Sequence, residues 1–363
     1  MLTSKTKSIA GYPGIILDIL RLTAALTVFA DHLLLNWFQP LTVQYKIRDF
    51  AHTAVIVFFV ISGYLIAFTT TKNNRGGVRY MQARFSRLYS IVLPALAITG
   101  LCQLLVSHLG TDLHVLIYRG LSWPRYLMAG LFLNEIWFLS AGPPMNTPLW
   151  SLGYEFWYYM IFGLWFFRRR GLRSLILPAT ACFIAGPKIL LLFPVWLIGY
   201  LAYSIPMPEV PKRTSFFLAG LCFILGLAVP LYIPDLPLHD GSKPLYFSAQ
   251  FFTDLMTGLF IGLALWLIPQ GESKPTVFLN KYLRLPADLT FAVYALHYPL
   301  MILWKAFFQR QLRHASEIWE PALVILLISV ATGYLLEKSR YRWNEVFSVL
   351  FSRIKTRLYK TNQ

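Results

Sequence analysis

Charged residues are scarce in this chain. Asp, Glu, Lys and Arg make up 13% of the 363 residues, whereas hydrophobic residues make up 56%; in a soluble globular domain about 25% of the residues are charged. Such a composition argues against a disordered chain and against a water-soluble domain. Cysteine is scarce too: the three cysteines, all in apolar stretches, argue against a disulfide framework or a zinc site. We therefore expect a membrane protein without a metal site.

Mainly apolar segments of about 17–25 residues, the length that crosses a bilayer as a helix, recur along the whole chain. They predict an all-α polytopic membrane protein, a single domain over residues 1–363 with no extra soluble domain. We place ten transmembrane helices at residues 15–36, 51–71, 88–108, 146–167, 174–187, 189–205, 215–234, 248–268, 287–308 and 321–338. Prolines interrupt the fifth and sixth spans. The apolar stretch 126–140 is interpreted as a re-entrant or interfacial helix, and residues 339–363 as a basic cytoplasmic tail.

Acidic residues are half as frequent as basic ones, 16 against 33, which gives a net charge of +17. In a soluble protein this excess would suggest nucleic acid, but cytoplasmic loops of membrane proteins are also rich in Lys and Arg. If the chain starts inside, the inside segments hold 23 basic residues and the outside loops hold 8. We therefore expect both termini in the cytoplasm, no cleavable signal peptide and no nucleic-acid partner.

Four ionisable residues, Asp18, Arg21, Asp31 and His32, lie inside the first span, where each costs a few kcal/mol unless it is paired or hydrated. Arg21 and His32 are eleven residues apart, which corresponds to about 20° of helical rotation and a rise of about 16 Å, and Asp18 lies on the same side. One interpretation is an ion pair between Asp18 and Arg21 that only stabilises the bundle. The other is a base at depth with a cation nearer the cytoplasm, as chemistry on an anionic ligand requires.

Other spans also carry polar groups at depth. Glu155 lies near the centre of the fourth span, His297 lies about 15 Å into the ninth, and Ser62 and Tyr64 interrupt the second. A single such residue is usually a structural hydrogen bond. Polar groups on four helices at similar depth predict a functional site.

Basic residues cluster after the second span, and topology or contact with anionic lipid explains most of them. Arg84 and Arg87, however, are spaced i, i+3 and share one helix face where the chain re-enters the membrane. Two guanidinium groups on one face suit bidentate binding of phosphates.

Five motifs in order along the chain resemble those of the acyltransferase-3 family. They are the Asp-x-x-Arg and His within 17–32, Phe-Phe-Val-Ile-Ser-Gly-Tyr-Leu-Ile at 58–66, Arg-Phe-Ser-Arg-Leu-Tyr at 84–89, Trp-Ser-Leu-Gly-Tyr-Glu at 150–155 and Tyr-Ala-Leu-His at 294–297. Three details depart from the family pattern. Ser90 replaces a common Pro, Ala54 or Val57 stands where an Asp often precedes the Phe pair, and Gly153-Tyr154 replaces the more usual Ser/Val-Glu. These departures concern acceptor binding more than the reaction class.

The resemblance implies transfer of an acyl group, usually acetyl, from cytoplasmic acetyl-CoA or another acyl-CoA to a hydroxyl of a cell-envelope or exported glycan. It implies a multi-pass protein of the bacterial inner membrane, with the acyl-CoA as co-substrate and no permanently bound cofactor. The catalytic residues would be His32, Arg21 and Glu155, and the donor-binding residues Arg84, Arg87 and Arg21. Residues that bind substrate or orient the others would be Asp18, Ser62, Tyr64, Asn146, Trp150, Ser151, Tyr294 and His297.

His32 is the preferred base because neutral imidazole suits proton uptake near neutral pH, and His297 is the rival. Whether His32 carries the acyl group or only takes a proton stays open at this point. The alternative function is a transporter or flippase of a lipid-linked or small anionic substrate, since transporters also use intramembrane charges and broken helices. The sequence shows no pair of corresponding Gly- or Pro-broken halves, which favours the enzyme.

Overall fold

The computed structural model describes residues 9, 11–37, 43–72, 74–109, 120–207, 209–271, 274–308 and 315–360, and throughout these residues it contains helices and turns but no strand. Lys5 and Lys7, which entered the charge count, and residues 361–363 of the predicted tail lie outside the described residues. The α-helices of this part of the chain are α1 Tyr12–Trp37, α2 Val43–Lys72, α3 Gly77–His108, α4 Ser122–Gly130, α5 Trp150–Phe166, α6 Ile176–Ser204, α7 Lys212–Tyr232, α8 Phe251–Leu267, α9 Lys274–Phe308 and α10 Trp319–Lys360.

Seven helices in the described ranges are long and apolar enough to cross a membrane: α1, α2, α3, α6, α7, α9 and α10. α8 is apolar but has only 17 residues, and α5 has the same length. The prediction of an all-helical polytopic membrane protein is therefore confirmed in its general form.

The predicted break between the fifth and sixth spans lies inside α6. Gly186 there has φ 78° and ψ 178°, which are not helical values, and Pro187 follows it. Glycine adopts this left-handed φ at little steric cost, and proline is tolerated in the first turn of the segment that begins after it. The break thus separates residues 176–185 from 187–204, close to the two predicted segments.

The chain from residue 126 to 140 differs from its predicted helix. α4 ends at Gly130, and turns without regular helix connect it to the short 3₁₀ turn Thr147–Leu149 before α5. Phe132 and Trp137 have φ values of 56° and 52°, a left-handed conformation that no helix interior contains. The prediction of a helix here was correct only for its beginning.

The contacts divide the chain into two compact units. The first comprises residues 1–73 and 187–290, and the second comprises 74–186 and 291–363. In the first unit α1 packs along α2, α2 also contacts α7 and α8, and α7 packs on α8. In the second unit α10 and α5 both pack on α3.

The basic segment predicted as a tail continues α10 along α3. The side-chain amide of Gln82 donates to the carbonyl oxygen and to the side-chain oxygen of Asn344, both at 3.0 Å. The Phe347 ring contacts Phe85 and Tyr89, with ring centroids 5.5 Å apart in each pair. This part of the tail is therefore packed against the helix that carries the predicted phosphate-binding arginines.

Candidate active site

The first-span residues lie on α1, within the first unit. Asp18 and Arg21 are buried, whereas the side chain of His32 retains 18% of its exposure. The carboxylate of Asp31, itself buried, lies 4.0 Å from Nε2 of His32. The helix therefore presents a partly accessible imidazole beside an acid.

Arg21 is part of a four-residue ion cluster between α1 and α9. Its guanidinium lies 3.1 Å from Asp288 and 3.6 Å from Asp18. Arg284 is 3.4 Å from each of the same two carboxylates. The ion pair between Asp18 and Arg21 that the sequence left as an alternative is therefore formed, and Asp288 and Arg284 extend it. Two arginines and two aspartates make the group formally neutral.

The same contacts give the relative direction of α1 and α9. The backbone N–H of Tyr12 donates to the carbonyl of Gly271, and Asp18 and Arg21 contact Arg284 and Asp288 in that order. The residue numbers of the contacting partners therefore increase in the same direction along both segments. α1 and the first part of α9 therefore run parallel.

Ser62 and Tyr64 lie where α2 crosses the second segment of α6. A Cβ added at Gly63 would collide with the carbonyl oxygen of Trp196, and a Cβ at Gly199 would collide with that of Val60. Small residues permit such close backbone approach between membrane helices. The indole N–H of Trp196 donates to Ser62 Oγ at 3.2 Å. These contacts show a packing role for Ser62.

Arg84, Arg87 and Glu155 lie in the second unit, on α3 and α5. The guanidinium carbon of Arg84 lies 5.8 Å from the ring centroid of Tyr80 and 5.6 Å from that of Tyr159. The Tyr159 hydroxyl donates to Glu155, and Tyr80 donates to the Tyr159 carbonyl at 3.2 Å. This arrangement holds a half-buried arginine between two aromatic faces, with a carboxylate nearby.

Arg87 is one helical turn from Arg84 on α3, and it is also half buried. Its guanidinium carbon lies 5.9 Å from the ring centroid of Phe291. The predicted i, i+3 pair is therefore placed on a helix, with the aromatic faces against which guanidinium groups stack.

Asn146, Ser151 and Tyr294 join the start of α5 to the second part of α9. The Tyr294 hydroxyl donates to the Pro148 carbonyl at 2.7 Å and therefore accepts from Ser151 Oγ, also at 2.7 Å. Asn146 Nδ2 donates to the Ala295 carbonyl at 2.9 Å. Three residues predicted to orient substrate thus orient these segments of the chain.

Trp150 and His297 complete the predicted set in this unit. The Trp150 ring contacts Tyr154 edge-on, with centroids 5.1 Å apart. His297 is 1% exposed, and its Nδ1–H donates to the Val293 carbonyl at 3.0 Å. Unlike His32, this imidazole is enclosed.

The sequence reasoning missed His52, a buried residue near the start of the second span. Its Nε2–H donates to Asp254 of α8, with oxygen distances of 3.0 and 3.1 Å, and its Nδ1 lies 3.7 Å from Asp240. The sequence contained one sign of this pair: His52 and Asp254 each lie within a predicted apolar span. No local pattern pairs residues that are 202 positions apart, so only the folded chain could do so.

The described residues contain no group of three or more His, Cys, Asp or Glu side chains that could hold a metal ion. A partly accessible imidazole such as that of His32 can take up a proton, and half-buried arginines such as Arg84 and Arg87 can bind an anion.

Long apolar helices that bury ionisable groups define the class of the chain as an integral membrane protein. An acyltransferase domain model matches residues 15–353, and the chain therefore belongs to the acyltransferase-3 family. It is similar to the acyltransferase MdmB of Streptomyces mycarofaciens, with 25% identity over 354 residues that cover 87% of this chain and 88% of the relative. No solved structure matches the chain significantly.

Proposed function

We propose that this membrane acyltransferase moves an acetyl or other small acyl group from cytoplasmic acyl-CoA to a hydroxyl of a cell-surface or exported glycan. Family membership over residues 15–353 supports acyl transfer. The acyl-CoA donor and the glycan acceptor extend that class to particular substrates. The imidazole of His32 suits removal of the acceptor's hydroxyl proton, and the guanidinium groups of Arg84 and Arg87 suit the phosphates of CoA.

The base in this proposal is His32. The observation that carries it is the contrast between the two candidate imidazoles: the His32 side chain is 18% exposed and adjoins Asp31, whereas His297 is enclosed and donates to a backbone carbonyl. A general base needs access to the proton that it removes. A neighbouring carboxylate favours the protonated imidazole that forms during the reaction.

The reaction balances with His32 as the proton carrier. The imidazole takes the proton of the acceptor hydroxyl, whose oxygen attacks the thioester carbonyl. The carbon–oxygen bond forms, the carbon–sulfur bond breaks, and the thiolate of CoA takes the proton from the imidazolium. In the covalent variant the imidazole nitrogen attacks the thioester carbonyl, the carbon–sulfur bond breaks and the CoA thiolate leaves. The acceptor hydroxyl oxygen then attacks the acyl-imidazole, the carbon–nitrogen bond breaks, and the hydroxyl proton passes to the CoA thiolate by way of the released imidazole.

Arg84 and Arg87 are the donor-binding residues in this proposal. Guanidinium groups bind phosphate oxygens bidentately, and both side chains are partly exposed on one face of α3. Arg21 already forms ion pairs with two carboxylates, those of Asp18 and Asp288. Its guanidinium would therefore orient α1 rather than bind phosphate.

The remaining predicted residues position the helices that carry this chemistry. Glu155 accepts from Tyr159, whose ring adjoins Arg84. Ser151 and Tyr294 hold α5 to α9, while Asp18 anchors Arg21.

We further propose that the protein lies in the inner membrane of a bacterial cell with both termini in the cytoplasm. Its basic residues then set its orientation in the bilayer and do not bind nucleic acid. The excess of basic residues in the inside segments supports this orientation. The parallel direction of α1 and α9 is consistent with it, since both would start at the cytoplasmic side.

The test uses the purified full chain in nanodiscs with acetyl-CoA and envelope glycans as acceptors. We expect release of free CoA that depends on the acceptor, detected with a thiol reagent, and acyl groups on the glycan by mass spectrometry. A transporter would release no CoA, and that result would reject the proposal. Comparing envelope glycans from cells with and without the protein would identify the acceptor.

A further inference from the structure

The segment between α4 and α5 is non-helical backbone packed into the second unit. Phe132 and Met145 within it are almost completely buried. The indole N–H of Trp157 donates to the Phe132 carbonyl at 2.9 Å, and the Phe132 ring stacks on Phe156 at 4.5 Å. Within a membrane, irregular backbone is tolerated only where it is buried in protein or lines a hydrated cavity.

Buried polar atoms without hydrogen-bond partners occur on and beside this segment. Within the part of the chain that the structure describes, Asn134 Nδ2, Asn146 Oδ1 and Arg84 Nε make no hydrogen bond. Asn134 and Asn146 are 1% and 0% exposed. An unsatisfied buried polar atom costs about 1–3 kcal/mol unless water or a ligand supplies its partner, and these three atoms all belong to the second unit.

The three atoms follow one another along α3. Arg84 adjoins Tyr159 of α5, Tyr89 contacts the Phe132 ring at 5.3 Å, and Thr99 accepts from Asn146 Nδ2 at 3.0 Å. The rise along α3 from Arg84 to Thr99 is about 22 Å. Asn134 Oδ1 lies 3.3 Å from the position of a Cβ at Gly153, which is on α5 between its first residue and Tyr159, so Asn134 lies between the arginine pair and Asn146.

The type of each unsatisfied atom defines the group that it would bind. Asn134 Nδ2 is a donor and requires an acceptor such as a carbonyl oxygen. Asn146 Oδ1 is an acceptor and requires an N–H or O–H, because both hydrogens of Asn146 Nδ2 already go to Thr99 and Ala295. A ligand with phosphates at one end and neutral amides further along satisfies this order.

The pantetheine arm of CoA has this sequence of groups. We propose that Asn134 and Asn146 bind the donor by hydrogen bonds to the amide groups of its pantetheine arm, beyond the phosphates held by Arg84 and Arg87. This inference rests on the proposed acyl-CoA donor. It adds a role for Asn134 and gives Asn146 a contact with the donor in addition to its packing contacts.

The test measures competition for bound radiolabelled acetyl-CoA on the purified full chain in nanodiscs. The competitors are 4′-phosphopantetheine, which has the amides, and adenosine 3′,5′-bisphosphate, which has phosphates but no amides. Asn134→Leu should weaken acetyl-CoA and phosphopantetheine about fivefold or more, as expected for the loss of one buried hydrogen bond, and should leave the bisphosphate unchanged. Arg87→Ala should weaken the bisphosphate.

Two further variants keep the test informative if Asn134→Leu does not fold. Asn134→Asp preserves the shape but removes the N–H donor, so it should show the same selective loss. A Cβ at Gly153 would lie 3.3 Å from Asn134 Oδ1, so Gly153→Ala should displace the amide and give a smaller loss of the same kind.

The inference would be overturned if an Asn134 variant weakened all three ligands equally, or if folded Asn134 variants bound phosphopantetheine as the wild type does. Binding of acetyl-CoA by the wild type would still support the proposed function in either case. If the wild type bound no acetyl-CoA, the proposed donor and this inference would both be rejected.

Discussion

The guanidinium of Arg21 lies 3.1 Å from the carboxylate of Asp288, which joins α1 to α9 across 267 positions of sequence. The pair belongs to a neutral cluster with Asp18 and Arg284 whose members differ in exposure: the Asp18 side chain is 2% exposed and that of Arg284 is 53% exposed. Burial determines what the loss of each charge costs, because an exposed partner is replaced by water whereas a buried one leaves an unpaired ion.

We predict that Asp18→Asn destabilises the protein much more than Arg284→Gln. The first variant leaves buried Arg21 with fewer counter-charges, and breaking a buried pair costs about 3–5 kcal/mol. The second removes a half-exposed arginine whose place water can take in part, and Asp18 keeps Arg21 as its partner, so it should cost less. Thermal unfolding of the solubilised protein measures both. Equal destabilisation would show that the cluster is uniformly buried or uniformly hydrated.

We predict that His32→Ala lowers acyl transfer about 100- to 10,000-fold, the usual contribution of a general base. Acceptor-dependent CoA release measures it, and unchanged gel filtration and membrane insertion serve as controls. Acid-quenched protein incubated with donor alone would carry an acyl group on His32 in the covalent route only. Partial activity in His32→Ala, together with loss in His297→Ala, would make His297 the base.

We predict that Arg84→Ala and Arg87→Ala each raise the KM for acetyl-CoA about tenfold, because each removes charge-assisted hydrogen bonds to phosphate. Arg87→Lys should fall between these variants and the wild type, since lysine keeps the charge but lacks the planar fork. Arg79→Ala is the matched control, because Arg79 is an exposed arginine on the same helix. A similar rise in KM for Arg79→Ala would indicate a nonspecific effect of net charge.

We predict that Gly63→Ala and Gly199→Ala prevent folding, because each new Cβ would collide with a backbone oxygen of the facing helix. Gly220→Ala on α7 should be tolerated, since nothing lies within 4 Å of its added Cβ. Ser62→Ala should retain activity and lose about 1–3 kcal/mol of stability, as the Trp196 N–H loses its acceptor. Fluorescence-detected gel filtration measures the folded fraction. An inactive but stable Ser62→Ala would point to a catalytic role for Ser62 instead.

Local patterns were sufficient for much of the fold. The apolar segments predicted the membrane helices because their length and hydropathy are properties of contiguous residues. The prolines in the fifth and sixth predicted spans indicated the break in α6, and the spacing of Arg84 and Arg87 placed both on one face of α3. The helix expected at 126–140 was wrong beyond Gly130, since apolar content cannot distinguish a helix from buried turns that other chain segments stabilise.

The sequence by itself determined that this is a helical membrane protein and, through its five ordered motifs, which family it belongs to. Only the tertiary structure decided the partners: Asp288 for Arg21, Asp254 for His52, Trp196 for Ser62, and the unsatisfied amides of Asn134 and Asn146. The physical reason is range. Hydropathy and helical periodicity act between near neighbours in sequence, whereas a buried charge or amide is satisfied by whichever distant residue the packing of the helices brings beside it.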